Sequence, residues 1–502
     1  MATGSSRETR VQAYNPSSNS DGVFQLAELG AIEPKLYVHM IEVFSLPADA
    51  NKEQVLSNLT QGLSRTLAEY PILTGTLHFD NEAKRIAAKK GPSSSVALHV
   101  KEAGPGSDIE SFSFLEKHDF PVHLLDASKV LPPNVVGVFP VPGQDLSSEG
   151  PPISAFQVTF IQGGVILAFA VTHQVCDGPG CEVLFRTWSR HTNAISKGTA
   201  SGTPVSIPEH NILRAKGEPV SQAEWEKIGE RFPTFKARDG PPAPPPADFK
   251  MPTVKARVWH VSKSNLQKLK TLASAPLPAG SPHAGNSDIN APGGWVSTYD
   301  ALLALLWRTI VRAKQPLLQP APTAVSKAVH AVNARKRADP PMSDDYIGVA
   351  VTLPQSPHLT VADVLDAPLE ATVPLLARTV RAATNLVTPS YVADLERWAL
   401  SARDTRWVEL DMHWVLGLDC MAFDWHTNKA YDEHDFGFGL PAALRWPHPQ
   451  FEGFFFVLPT RSSKGNADEG YEIMLGLEES CYARFEKDEE LLRYAEQRGT
   501  EV

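Results

Sequence analysis

The sequence predicts a mixed α/β fold organised as more than one domain. Three observations carry that prediction. Two apolar runs joined by paired glycines read as core strands in a hairpin, amphipathic stretches at helical spacing flank them, and a proline-rich segment divides a chain too long for one core. At 502 residues and 42% hydrophobic side chains, two or three globular domains are expected.

Taken in order, residues 1–22 are polar and read as a flexible tail. Asp49 or Asn51 can cap a helix running to about Glu69, with Val55, Leu59, Leu63 and Leu67 on one face, and Pro71 ends it. SAFQVTFI at 154–161 and VILAFAVT at 165–172 form the hairpin around Gly163 and Gly164. His173 follows directly. Gly178, Pro179 and Gly180 break the strand, and Val183, Leu184 and Trp188 then recur at helical spacing, closing an N-terminal domain over 23–195. Residues 196–252, ending in DGPPAPPPADFKMP, read as an extended crossover linker. A C-terminal domain over 253–502 opens with an alternating RVWHVS strand and a helix carrying Leu266 and Leu269. Residues 273–295 are too polar and broken for a core element. Ser297 and Asp300 form a capping-box start to a helix apolar over most of its circumference, which predicts burial.

Charge and composition narrow the function classes. Lys and Arg number 47 against 57 Asp and Glu, a net charge of −10 with no extended basic run, so neither nucleic acid nor an anionic membrane is an expected partner. The four cysteines, at 176, 181, 420 and 481, lack paired spacing and suit a reducing compartment. No apolar run reaches the roughly 18 residues of a membrane span, and the first residues lack an apolar signal core. A cytoplasmic monomer is the expectation.

Chemistry concentrates in HQVCDG at 173–178, which places an imidazole at the end of a buried strand and a carboxylate four positions on. A His can take a proton from an alcohol near neutral pH, so His173 is the candidate base. Four residues across a strand end and a tight turn can aim Asp177 away from a cavity, so Asp177 reads as structural, with Gly178 starting the turn. DFGFG at 435–439 is the second signature. Gly437 and Gly439 permit unusual backbone angles or close approach, while Phe436 and Phe438 can anchor the loop in apolar surroundings.

These motifs, with VLSNLTQGLSRTLAEYPILTG at 55–75, STYDALLALLWR at 297–308, VNARKRADPPMSDDYIG at 332–348 and FEGFFFVLPTR at 451–461, resemble the BAHD family of acyl-CoA-dependent acyltransferases. The C-terminal third is closer in style to the fungal, trichothecene-acetyltransferase-like branch. The resemblance implies two similar mixed-sheet α/β domains of the chloramphenicol-acetyltransferase type, joined by a long crossover, with an active-site channel between them. It implies acyl-CoA as co-substrate, acetyl-CoA first, a hydroxylated small metabolite as acceptor, and no permanently bound cofactor or metal. It also implies direct transfer with His173 as general base. In the family the DFGWG carboxylate pairs with an Arg as a brace, so Asp435 is expected to meet Arg335 or Arg337. Lys336 and Arg337 of the same cluster are the alternative candidates for CoA phosphates.

Three departures bear on specificity rather than fold: Phe438 stands where the family carries Trp, YIGV at 346–349 replaces YxGN, and Asp424 precedes Trp425 where relatives carry a hydroxyl. Solvent exposure is the expectation for Asp424, since unpaired buried carboxylates are rare. Other classes fare worse. There is no GxSxG and no HExxH. N-acylation, a carrier-protein-dependent condensation enzyme (which usually has a second His where Thr172 stands) and a silent binder of acyl-CoA or metabolite stay open.

Overall fold

The computed structural model describes residues 6–15, 22–104, 106–133, 135, 150–207, 218–241, 250–278, 280–287, 289, 294–448, 451–461 and 464–499. Two six-stranded mixed sheets form its frame. The first runs in the order Ser6–Gln12, Ser95–Glu102, Ser154–Ile161, Gly164–Thr172, Tyr37–Ser45, Ala443–Arg445. The second runs Ala328–His330, Cys420–Asp424, Phe454–Leu458, Tyr471–Glu478, Val254–Val261, Ala495–Arg498. Each contains both parallel and antiparallel pairs.

The hairpin forms as its glycines dictate. Gly163 adopts φ 76°, and Phe156 pairs with Phe169 across two strands whose residues are all buried. Such unbroken burial follows from coverage on both faces. The helix Lys52–Glu69 starts at Asn51, whose side chain accepts from the Gln54 N–H, and it buries Leu59, Leu63 and Leu67. It packs on the helix Gly178–Ser196 with little room between them: a Cβ at Gly62 would stand 2.1 Å from Thr192 Oγ1. In the second half Ser297 and Asp300 make the expected capping box, and the helix Thr298–Leu318 buries Leu302, Leu303, Leu305, Leu306 and Ile310.

Three readings of the sequence need correction. Residues 6–12 are not a loose tail: they form an edge strand pairing antiparallel with Ser95–Lys101, and the Tyr14 N–H donates to the Ser64 carbonyl. Residues 196–252 are more than a linker. They include the helix Gln222–Gly229 and the strand Phe235–Ala237, which pairs with Val408–Leu410 of the second half, whereas the proline run falls almost entirely outside the described residues. Nor does the span 253–502 belong wholly to the C-terminal unit, because Ala443–Arg445 crosses over to join the first sheet beside Tyr37–Ser45.

Arg445 fastens that crossing. Its guanidinium is fully buried and reaches Glu472 of the second sheet at 2.7 Å while donating to the Asp119 and Phe120 carbonyls. Burial alone would raise the Glu472 carboxyl, but Arg445, Arg461 and Arg498 together hold it well below the usual carboxylate range.

Candidate active site

The strand Gly164–Thr172 delivers His173 to the seam between the halves. The His173 N–H donates to the Leu36 carbonyl at 2.9 Å, and the N–H groups of Val175 and Cys176 both turn back to the Thr172 carbonyl. The chain thus reverses within three residues. Asp177 then caps the next helix, accepting from the Gly180 N–H at 2.8 Å, with Pro179 in the first turn. Gly180 is required by crowding, since a Cβ there would lie 2.0 Å from the Ile347 carbonyl oxygen.

The His173 side chain is 15% exposed. Burial lowers its pKa below the ordinary imidazole value of 6.5, against the pull of the Asp177 carboxylate and of a hydrogen bond to its own backbone, so the ring is neutral at neutral pH and can accept a proton. Its Nδ1 lies 3.7 Å from a Glu33 carboxyl oxygen.

Asp177 turns away from this ring. It is fully buried and receives Arg335 through both guanidinium nitrogens, at 3.0 and 2.8 Å, as well as the Ala350 N–H at 2.8 Å. Arg335 donates further to the carbonyls of Tyr346 and Gly348. The YIG segment therefore contributes backbone carbonyls to the brace. This overturns the expected Asp435–Arg335 pair. Arg335 is committed to the nearer buried carboxylate, and Arg337 donates to the Thr384 and Val387 carbonyls.

Asp435 instead accepts from the N–H groups of Gly437 and Gly439, at 2.8 and 3.0 Å, closing a tight loop in which both glycines have positive φ, 94° and 105°. Phe436 is buried against Phe44, Phe185 and Trp188, and Phe438 meets Phe44 edge-on. The loop is anchored at the far end of the helix Gly178–Ser196, where Asn193 donates to the Asp435 carbonyl.

Beside this loop lies a pair with no local sequence signal. His434 is fully buried, with Nδ1 2.6 Å from Glu42 and Nε2 3.6 Å from Glu182. Burial opposes its charge, but the Glu42 and Glu182 carboxylates outweigh burial and hold its pKa up at about 9. A folded value above the unfolded 6.5 means that this contribution to stability is complete below pH 6.5 and is lost as pH rises through about 9. The thermal midpoint is therefore expected to fall across that window. The His434→Gln variant should show a flatter profile there, measured by thermal unfolding at half-unit pH steps.

Two cavities adjoin the motifs. One, of about 310 Å³, is lined by Gly178, Glu182, Arg186, Arg335 and Trp425. The other, of about 420 Å³, is lined by Tyr299, His330, Arg337, Arg381, Lys270 and Tyr471. Asn333 and Asp424 line both, so the cavities meet there. Asp424 is partly open, as expected, with 26% of its side chain exposed; it also borders both cavities and is bonded to His426. Arg381 pairs with Asp300 at 2.5 Å, and the exposed Trp295 stacks over the Arg381 guanidinium at 4.5 Å. Lys336 pairs with Asp344 on the surface and lines neither cavity. The cationic wall of the larger cavity is supplied by Arg337, Arg381 and Lys270, the last two missed from sequence because they lie on separate helices, Leu369–Leu386 and Lys263–Ala273.

Comparison with known proteins agrees with this architecture. A sequence model described as the Transferase family matches residues 121–492, and one described as a trichothecene 3-O-acetyltransferase-like N-terminal domain matches residues 36–191. The acetyltransferase FGR3 of Gibberella zeae is 28% identical over 467 residues, 90% of this chain and 86% of that protein. The trichothecene 3-O-acetyltransferase TRI101 of Fusarium sporotrichioides is 25% identical over 509 residues, 97% of this chain and 100% of that protein. The crystal structure of F. graminearum TRI101 complexed with coenzyme A and deoxynivalenol shares the fold, with a TM-score of 0.74 at 18% identity, covering 95% of this chain and 99% of that one.

Proposed function

Because the chain belongs to the Transferase family, we propose that it is an acyl-CoA-dependent O-acyltransferase, acetyl-CoA its first donor, acting on a hydroxyl of a small specialised metabolite. We place it in the cytoplasm, since its four cysteines are buried and free, and take it to act as a monomer. Separately, among the described residues no helix is long and apolar enough to cross a membrane. The observation that carries the reading is His173, neutral and partly open at the end of a core strand, in a chain aligning over nearly its whole length with an acetyltransferase.

His173 removes the acceptor's proton as the oxygen attacks the thioester carbonyl. The O–H bond breaks, an N–H bond forms at Nε2, and the tetrahedral intermediate expels CoA thiolate, which recovers the proton. No acyl-enzyme forms. The larger cavity suits the donor, since Lys270, Arg337 and Arg381 outnumber the Asp300 and Asp424 carboxylates in its lining and leave cationic groups for phosphates in an otherwise acidic chain. Asp177, Gly178 and Arg335 hold the motif in shape without touching substrate, and Asp435, Gly437 and Gly439 brace the helix behind it.

The test is thiol release from acetyl-CoA and longer acyl-CoAs against hydroxylated and amine acceptors, with products identified by mass spectrometry. Acetyl-CoA with a hydroxylated acceptor is expected to turn over fastest. Transfer only to amines, or only from a carrier-bound acyl group, would overturn the assignment.

A further inference from the structure

Glu33 ends the short helix Glu28–Ile32, in a region where the sequence offers no motif. Its side chain is 3% exposed. The segment it belongs to is locked against the catalytic strand end. Gln174 donates to the Glu33 and Pro34 carbonyls at 3.1 and 2.8 Å, and the His173 N–H donates to the Leu36 carbonyl at 2.9 Å. Gly30 allows no side chain in this contact, because a Cβ would stand 2.2 Å from the Gln174 carbonyl oxygen. The segment 30–36 is therefore tied to residues 173–174 by three hydrogen bonds and close packing. A Glu33 carboxyl oxygen then lies 3.7 Å from His173 Nδ1, a buried nitrogen with no hydrogen bond to another residue.

We propose that Glu33 is a positioning residue for the acyl transfer, its carboxyl holding the His173 ring with Nδ1 turned toward it and Nε2 presented to the acceptor hydroxyl. The proposal rests on the reading of His173 as general base. Among the described residues, His173 Nδ1 is the basic side-chain nitrogen that approaches the Glu33 carboxyl, at 3.7 Å.

The charged groups around it leave that role open. Lys35, on the same segment, donates its ammonium to the Val408 carbonyl at 3.0 Å, and Asp177, across the turn, is held by Arg335. Burial first, and then the Asp177 charge, push the Glu33 carboxyl up to about 8, against the pull of Lys35. Near neutral pH the carboxyl therefore keeps its proton and the ring beside it stays uncharged, the form a base requires. During transfer the acceptor O–H breaks as the Nε2–H bond forms, and that proton leaves with the CoA thiolate. Glu33 exchanges no proton with substrate; it borders the Nδ1 edge of the ring and supplements the bond the ring makes to its own backbone.

The experiment compares wild type, Glu33→Leu, His173→Ala and the double variant, with Glu33→Gln as the conservative control, recording kcat, the KM for acetyl-CoA and the thermal midpoint. Glu33→Leu keeps the bulk, removes the carboxyl and should keep the midpoint. Its kcat should fall about tenfold to a hundredfold with KM nearly unchanged, and in the His173→Ala background it should cause no further loss. Glu33→Gln keeps an uncharged oxygen beside Nδ1 and should stay near wild type. A wild-type kcat in Glu33→Leu overturns the proposal, as does the same fractional loss in both backgrounds. Full activity in His173→Ala would instead refute the base reading and take the role of Glu33 with it.

Discussion

Replacing His173 with Ala is expected to lower kcat by about a hundred- to ten-thousandfold, the usual worth of a positioned general base. The KM for acetyl-CoA should change little, because the ring lines neither of the two cavities beside the motif. The fold should survive as well. The backbone bonds that place residue 173, from its N–H to Leu36 and from Val175 and Cys176 to Thr172, do not involve the imidazole. The pH profile supplies an independent check. Burial lowers the His173 pKa, so the acid-side decline of kcat/KM should be centred below 6.5, the ordinary imidazole value. Steady-state kinetics from pH 5 to 8 on wild type and variant measure both effects.

Breaking the Asp177–Arg335 pair should produce the largest loss of stability. Arg335→Met leaves a carboxylate with no solvent exposure facing only backbone N–H groups, and one-sided loss of a buried pair costs about 3–5 kcal/mol. The double variant Asp177→Asn/Arg335→Met removes the stranded charge and should recover part of that loss. Denaturant midpoints of wild type, both single variants and the double variant test this coupling. Additive losses would mean that the pair is not a unit. Asp435→Asn should do less, since Asp435 is half-buried and accepts from two backbone N–H groups in a loop also anchored by Phe436 and Phe438.

The legible parts of this fold are those whose signals are local. Gly163 marks the hairpin turn, Asn51 and Ser297 cap their helices, and the apolar strand before His173 fixes where the imidazole emerges. Edge strand Ser6–Gln12 was hidden because five of its seven residues are exposed in succession and carry no alternation. The crossing strand Ala443–Arg445 is too short to show a period, and only its partner Tyr37–Ser45 defines it.

Side-chain partners were the least legible part. Asp177 and Arg335 are 158 residues apart, and the family expectation of Arg335 or Arg337 on Asp435 fails because Arg335 is taken by the buried Asp177 and Arg337 by the Thr384 and Val387 carbonyls. The rarity of buried carboxylates predicts an open Asp424, and the side chain is partly exposed; what the sequence hides is that it borders two cavities, because the strand Cys420–Asp424 ends where the halves meet. Glu33, Glu42 and His434 gave no signal, since each acquires its role from a partner far away in sequence.

The most direct test of the central claim is thiol release from acetyl-CoA by the wild-type protein, with and without a hydroxylated acceptor, together with intact-mass analysis of protein and product. Direct transfer predicts release only when acceptor is present, one acetyl group on the acceptor oxygen, and an unmodified protein mass. A burst of thiol without acceptor, leaving the protein heavier by one acetyl group, would contradict it.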